Sequence, residues 1–507
     1  MPCSDSAAPV SLLERVLALF QLLGLAFCQE RTAERAARLA LGHALTLGEH
    51  NIARVLATCG RDQMDWSTDY QLFSHSPWST RELFAPVLDQ AVKLALPESL
   101  PADAPLWVAG DHTHVLKTGK KVAGLQTIRD PMSPAYHVNL VHGLRFFHLC
   151  VIAAPWRTDP ALADVPARAL PVRFELSPTL KKPGKRADDD ALAQYKLQRR
   201  DRSSTKLARA QLLELREDVD AQGGAGRKII AALDGAFANK IFFREPMRGV
   251  ELVARVRRDA ALCYAHELTG AEVAKGKSRR FFGKEKFSPE AVRIDEQRPW
   301  QEALTRTGGK AHSIRYKEIA ECYWQRGAGR RQVRVLVLAP TGYRLSKNSR
   351  LLYRQPGFLV TTDLHMPAPE LIQGYVDRWQ IEVMHRELKD TYGLEDSQVR
   401  NARSVPRHAA FGVAVCSLLH IAALLTHGAL RTKDYLAPAR WHRHSANKRA
   451  SLLDIVQLLR AQASEHLAEA QEPEWQRDSA AMTQRVREAA PEGMFLRLKN
   501  LLTKAAA

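Results

Sequence analysis

Residues 228–237, Lys-Ile-Ile-Ala-Ala-Leu-Asp-Gly-Ala-Phe, decide the fold class of this 507-residue chain. The apolar run 229–233 has the length and composition of a buried strand, and an aspartate-glycine pair ends it. Helical periodicity over residues 205–219 leads into this strand through a glycine-rich break, and β-type apolar runs occupy residues 106–153 further upstream. Strands, then a helix, then another strand predict an α/β core.

A second aspartate has the same setting. Asp111 ends the apolar run Leu106-Trp-Val-Ala-Gly, as Asp234 ends the run described above. A carboxylate directly after an apolar strand lies at the carboxyl edge of a sheet, where α/β active sites form. Strand-ending aspartates are also common turn formers. On this pattern alone, both residues are candidates either for catalytic carboxylates or for turns.

A third acidic residue lies in a helical segment that Pro367 opens and Gly393 can close. In an ideal helix, four polar side chains of this segment form one row about 60° wide. They are Tyr375, Arg378, Glu382 and Lys389. The row presents a carboxylate between cations, but it is also consistent with a solvated face that an Arg378–Glu382 pair stabilises. Glu387 is a rival carboxylate, about 140° away from Glu382 on the same helical wheel.

The charge of the chain indicates a polyanionic partner. The sequence contains 74 Lys and Arg against 55 Asp and Glu, a net charge of +19. Residues 1–100 contain 8 basic and 11 acidic side chains, whereas residues 235–334 contain 22 and 12. Such a field concentrates phosphate-bearing ligands and makes their binding salt dependent. A basic surface that only faces water is the alternative.

Two basic segments are candidate phosphate contacts. Lys117, Lys120 and Lys121 follow the first aspartate, and Arg279 and Arg280 lie in the basic stretch 275–286, which includes two phenylalanines. Charge next to aromatic rings suits contacts with DNA. Either segment could equally stay solvated.

Three further patterns limit the class of protein. The seven cysteines include no C-x-x-C pair, so a disulfide framework or a thiolate zinc site is not predicted. The N-terminal residues lack the order of a signal peptide, so we expect a cytoplasmic protein. The apolar run 409–425 is shorter than the roughly 20 residues that cross a bilayer, and it contains Ser417 and His420. We interpret it as a buried core helix and expect no membrane association.

If two aspartates and one glutamate converge at one sheet edge, divalent cations must neutralise their repulsion. Ligand sets made only of oxygen favour Mg²⁺ or Mn²⁺ over zinc. Two such ions can activate a nucleophile and stabilise the leaving oxygen of a phosphodiester. A basic protein with this site would be a nuclease or a strand-transfer enzyme.

These motifs also carry a family resemblance. The pattern Tyr375-x2-Arg378-x3-Glu382-x6-Lys389 resembles the signature of the bacterial insertion-sequence-four group of DDE transposases. The segments around Asp111 and Asp234 are similar to the catalytic-aspartate segments of that group. The resemblance covers roughly residues 45–430.

The resemblance implies an α/β fold with a ribonuclease-H-like catalytic core, interrupted by a β-rich insertion and flanked by helical N-terminal and C-terminal regions. With the sequence patterns it gives five expected ranges. They are a helical DNA-binding domain at 1–100, the first part of the core at 101–240, the insertion at 241–345, the second part of the core at 346–430, and a helical C-terminal region at 431–507.

The resemblance also implies the chemistry. Asp111, Asp234 and Glu382 become catalytic ligands of two Mg²⁺ ions, for which Mn²⁺ can substitute. Tyr375, Arg378 and Lys389 become contacts to double-stranded DNA near the cleaved phosphate. The expected activity is cleavage at transposon ends and joining of the 3′-ends to target DNA, by a homodimer associated with the bacterial nucleoid.

Two rival functions stay open. A stand-alone metal nuclease with the same core would cut DNA without rejoining it. An inactive transposase-derived protein would bind DNA ends without metal-dependent chemistry, although the intact set of three carboxylates argues against it.

Overall fold

The computed structural model describes residues 10–471, except 120, 131–132, 135, 138, 179, 181, 185, 267–269, 271–273, 276–280, 347 and 439–448. The predicted regions 1–100 and 431–507 are therefore described only in part. The five predicted ranges stay predictions.

A ten-stranded sheet forms the centre of the molecule, in the order β2-β3-β1-β5-β6-β12-β9-β8-β7, with β4 also paired to β3. A separate hairpin pairs β10 with β11. The strands are β1 Leu106–Leu116, β2 Gln126–Arg129, β3 Leu140–Ala153, β4 Arg168–Leu176, β5 Ile229–Leu233, β6 Val250–Arg255, β7 Gln301–Thr307, β8 Lys310–Tyr323, β9 Gln332–Leu338, β10 Gly342–Tyr343, β11 Leu352–Tyr353 and β12 Gly357–Thr361.

Helices surround this sheet. The α-helices of the described residues are α1 Leu12–Leu22, α2 Glu30–Leu45, α3 Ile52–Thr58, α4 Ser67–Ser74, α5 Thr80–Ala95, α6 Asp189–Asp201, α7 Ser204–Val219, α8 Lys240–Phe243, α9 Pro289–Ile294, α10 Ala368–Asp377, α11 Gln380–Arg386, α12 Ser404–His427 and α13 Leu452–Gln471. Local signals set several of their ends. Ser11 and Glu14 form a reciprocal capping box at the start of α1, which satisfies backbone N–H groups that the helix leaves free. A mixed sheet with helices confirms the predicted α/β class.

The direction of the strands changes within the sheet. Strands β1, β5 and β6 run parallel to one another, whereas β3 and β12 pair antiparallel on either side of them. The run 229–233 is β5, and all of its residues are buried. Strands β6 to β9 fall in the range predicted as an insertion. They continue the central sheet and do not form a sheet of their own.

The helix that carries the polar row differs from the prediction of one continuous helix. It begins as predicted after Pro367, but α10 ends at Asp377 and α11 starts at Gln380. The backbone N–H groups of Trp379 and Glu382 bond to carbonyls three residues back, not four. A π-helical turn, Glu387–Thr391, then follows, and Gly393 ends the segment at a φ of 60°. The helical-wheel prediction assumed the same rotation for every residue. The hydrogen bonds to carbonyls three residues back and the π-helical turn both change that rotation.

The predicted core helix is α12, the one helix of the described chain that is long and apolar enough to span a membrane. Within its most apolar stretch, 83% of the residues are buried inside the protein. It packs against α1, α5 and β4. This burial agrees with a core helix.

Candidate active site

Asp111 and Asp234 lie side by side because of the register of two parallel strands. Gly110 of β1 pairs with Leu233 of β5, so the next residue of each strand is an aspartate. Neighbouring strands are about 4.8 Å apart, and paired residues point to the same face of the sheet. The structure thus brings together two carboxylates that are far apart in the sequence.

The same row continues on both sides of the aspartates. Leu233 pairs with Ala254 of β6, which places Arg255 beside Asp234. On the other side, His148 of β3 pairs with Asp111. Sequence reasoning missed Arg255 and His148, because only the register of the strands reveals that they are neighbours of the carboxylates.

Glu382 joins this site through an arginine. The Nη1 atom of Arg378 lies 3.2 Å from Oδ2 of Asp111 and 3.6 Å from Oε1 of Glu382. The arginine side chain is 10% exposed, and its guanidinium lies 5.6 Å from the centre of the Tyr375 ring. Arg378 is therefore next to two other residues of the predicted polar row, Tyr375 and Glu382.

The charges in the site influence one another. Burial raises the pKa of Asp111 to about 7. The positive charge of Arg378 and a hydrogen bond from the His112 N–H oppose that rise, whereas the charges of Glu382 and Asp234 add to it. Burial disfavours the charged form of Arg378, but Tyr375 and the three acidic residues outweigh it and raise the pKa of the guanidinium. Without a metal ion, this arginine compensates the negative charge of the site.

The donor chemistry of the site suits a hard divalent cation, because all three acidic side chains offer oxygen. No group of three His, Cys, Asp or Glu side chains among the described residues is close enough together to hold a metal ion as it stands. The guanidinium of Arg378 lies between two of the carboxylates. Asp111 and Glu382 would therefore hold a cation together only after this guanidinium had moved away.

The predicted lysine contacts are placed differently from one another. Lys389 lies 3.7 Å from the carboxylate of Glu395, which also accepts a hydrogen bond from the last residue of β1. Lys117 donates to the backbone carbonyls of Glu395 and Ser397, at 2.7 and 2.8 Å. Burial lowers its pKa to about 8, although Glu395 opposes this shift. Lys117 thus anchors the loop after the π-helical turn, whereas Lys121 is exposed. Lys120, Arg279 and Arg280 lie outside the described residues.

The rival carboxylate Glu387 lies in a different environment. Its Oε2 atom is 3.1 Å from Nε2 of His420 and 3.9 Å from Nη1 of Arg168. Burial disfavours its ionisation, yet His420 and Arg168 lower the pKa of Glu387 to about 2. Its partners are on α12 and β4, so Glu387 stabilises the packing of these core elements and is not part of the site around Asp111 and Asp234.

A groove of about 930 Å³ begins at Asp234. Four arginines are among the residues that line it: Arg255, Arg257, Arg258 and Arg293. Arg257 pairs with Asp259, and Arg293 pairs with Glu290. No ion pair with a described residue involves Arg255 or Arg258. These four arginines outnumber the three acidic residues of the lining, Asp234, Asp259 and Glu290, so the groove has an excess of positive charge.

A family model described as DDE superfamily endonuclease matches residues 19–320, more than half of the chain. The match includes Asp111 and Asp234, whereas Glu382 lies beyond it, so the place of Glu382 in the site depends on the geometry alone. The family implies a metal-dependent nuclease or transposase activity with DNA as the substrate. The comparison with curated proteins finds no match.

Proposed function

The chain belongs to the DDE superfamily of endonucleases, and on that premise we propose that it is a DNA transposase. It binds the ends of a mobile element, cleaves them by Mg²⁺-dependent phosphodiester hydrolysis and joins the 3′-ends to target DNA. The observation that carries the proposal is that Arg378 pairs with both Asp111 and Glu382, while the strand register puts Asp234 beside Asp111.

The strand order supports a ribonuclease-H-like core. Strands β4, β3 and β1 are antiparallel neighbours, and β5 and β6 follow β1 in parallel. In this arrangement the carboxyl ends of the parallel strands form one edge, where α/β sites are found. The polar side chains Asp111, Asp234 and Arg255 lie at that edge. The β-rich insertion predicted at 241–345 belongs to the same proposal, but it would begin after β6, because β6 is one of the parallel strands of this core.

Asp111, Asp234 and Glu382 would hold the divalent cations, two Mg²⁺ or Mn²⁺ ions. Such ions supply an activated nucleophile and stabilise the leaving oxygen of the phosphodiester. The protein's own contribution is to hold the carboxylates in place beforehand. Arg378 does so by pairing with Asp111 and Glu382, and its guanidinium in turn packs against the ring of Tyr375.

The DNA follows the cationic side chains around this edge. Arg255 and Arg258 line the groove that starts at Asp234, and they are placed to contact the phosphates of the strand that is cut. Tyr375, Arg378 and Lys389 contact DNA on the helical side of the site. The synaptic complex is a homodimer that brings two ends together, and the protein acts at the nucleoid in the cytoplasm.

The first experiment incubates the purified protein with a DNA fragment that contains both ends flanking its own gene. Mg²⁺, Mn²⁺ or EDTA is added, and nicked, hairpin and joined products are separated on a gel. We expect cuts at the ends and joined products only with a metal ion. The variants Asp111→Asn, Asp234→Asn and Glu382→Gln should still bind DNA but lose cleavage, because each loses a metal ligand.

Glu370→Gln is the matched control for Glu382→Gln. Both glutamates lie on the same helical segment, both side chains are 36% exposed, and both pair with an arginine. Glu370 pairs with Arg157, away from the aspartates. The control should cut like the parent. Cuts without joined products would favour the stand-alone nuclease, and binding without cuts under either metal would favour the inactive DNA-binding protein.

A further inference from the structure

Two buried histidines connect β3, the strand paired with that of Asp111, to the helix of Glu382. The Nε2 atom of His385 lies 3.0 Å from Nδ1 of His148. His148 is completely buried, and His385 is 9% exposed. His148 pairs with Asp111 across β1 and β3, and His385 follows Glu382 by three residues, which places both on one side of α11. Nothing in the proposed chemistry uses either imidazole.

The contact is a hydrogen bond between neutral rings. Burial lowers the pKa of His148 well below its usual range, and the charge of His385 would lower it further. Burial, with Lys389 and Arg378, lowers the pKa of His385 to about 3. One ring therefore donates and the other accepts. The remaining Nε2 of His148 lies 3.3 Å from Sγ of Cys150.

A metal site does not explain this pair, although histidines and a cysteine are near one another. Ligands to zinc bind at about 2.0–2.3 Å and surround the ion tetrahedrally. The two ring nitrogens, 3.0 Å apart, are at the distance of a direct hydrogen bond. The faces of the rings also stack, with centres 5.1 Å apart and planes inclined by 29°. The two ring nitrogens therefore bond to each other and leave no space for a metal ion between them.

We infer that the hydrogen bond between His148 and His385 positions Glu382 relative to Asp111. This inference rests on the proposed function. Strand β3 fixes His148 through its pairing with β1 on one side and β4 on the other. The bond transmits that fixed position to α11, whose backbone is irregular on both sides of Glu382. His148 and His385 are positioning residues, and they touch neither DNA nor metal.

The test compares removal of the bond with its conservative replacement. His385→Leu and His148→Leu remove the bond but keep an apolar side chain in the core. His385→Gln places an amide near the position of Nε2, and His148→Asn places one near that of Nδ1. Three quantities are measured: kcat and KM for cleavage of the DNA ends, the Kd for Mn²⁺ in the absence of DNA by electron paramagnetic resonance, and the thermal unfolding midpoint.

We expect the leucine variants to lose about 10- to 100-fold in kcat and in Mn²⁺ affinity, the usual cost when a group that orients a ligand is removed. KM for DNA should stay unchanged, and the amide variants should recover most of the loss. His408→Leu is the control, because His408 is equally buried but packs on His43 and Phe73. It should lower only the unfolding midpoint.

Parental kcat and Mn²⁺ affinity in the leucine variants would overturn the inference alone. So would amide variants as impaired as the leucine variants, with losses that follow the unfolding midpoint, because the rings would then be packing groups. A parent protein that neither binds Mn²⁺ nor cuts DNA would overturn the proposed function and this inference together.

Discussion

Gly374 of α10 lies against the ring of Trp107, a residue of β1, and we expect that an added methyl group there disrupts the site. A Cβ atom at this position would lie 2.0 Å from Cζ3 and 2.1 Å from Cη2 of Trp107. The Trp107 ring is rigid and buried. To reach an ordinary contact of 3.4 Å, the helix and the ring must separate by about 1.4 Å. Arg378 follows Gly374 by one helical turn and would move with it.

The magnitude follows from two opposing effects. Overpacking of a core costs about 1–3 kcal/mol, and the large overlap with Trp107 places Gly374→Ala near the upper end. Alanine is better than glycine in a helix by about 1 kcal/mol. We therefore expect the free energy of unfolding to fall by about 1–2 kcal/mol. A shift of about 1 Å in positioned groups costs on the order of 100-fold in rate, so cleavage should suffer more than stability.

Urea denaturation and the DNA cleavage assay measure the two effects. Gly412→Ala is the matched control, because it makes the same change inside α12, where the nearest atom is Cε1 of Tyr392 at 3.6 Å. It should be neutral or slightly stabilising, with parental cleavage. The double variant Gly374→Ala/Trp107→Leu should recover part of the rate. If Gly374→Ala cleaves at the parental rate and unfolds no earlier, the close contact with Trp107 does not hold the helix in place.

Three further predictions concern separate parts of the molecule. Arg255→Ala should weaken DNA binding for all sequences and reduce the magnitude of the slope of log K against log salt by about one. Fluorescence anisotropy measures both quantities. An unchanged slope would mean that Arg255 contacts no phosphate. Burial raises the pKa of Asp377 to about 7, with the charge of Arg157 opposing the shift. The unfolded chain therefore releases this proton first as the pH rises from about 4 to 7, and stability falls by up to about 4 kcal/mol over that range. Asp377→Asn should remove this loss from urea curves at pH 5 and pH 8, and an equal loss in both proteins would contradict it. Asp69 is fully buried among three arginines, so Asp69→Ala should lower the free energy of unfolding by about 3 kcal/mol. Asp89→Ala removes an exposed pair with Lys93 and should lower it by only a few tenths of a kcal/mol. Similar losses of stability in the two variants would refute this difference.

Local patterns were sufficient for the elements that carry the site. The apolar runs before Asp111 and Asp234 lie in strands β1 and β5. Only Asp234 follows the end of its strand, because β1 stays paired with β3 past Asp111 and continues to Leu116. The proline at 367 marks the start of α10. The apolar run 409–425 lies in a buried helix. Each of these predictions depends on a few neighbouring residues, over which propensity and hydrophobic period act directly.

The twist within the helical segment was harder to predict. The wheel places Lys389 in one row with Arg378, but the structure breaks the helix at Arg378 and Trp379 and widens it to a π turn before Lys389. No proline or glycine marks either irregularity between residues 375 and 392. Packing against β1 and the sheet decides them, because tertiary contacts outweigh the small differences in local hydrogen bonding.

The sequence by itself determined that this chain has an α/β core, that apolar strand residues precede Asp111 and Asp234, and that a strongly basic protein presents acidic groups there. Only the tertiary structure decided that Asp111, Asp234 and Arg255 share one row, that Arg378 links Asp111 to Glu382, and that two histidines join β3 to α11. The physical reason is the register of the sheet. A shift of a strand by one residue turns each side chain to the other face, and the register is fixed by contacts between segments more than a hundred residues apart.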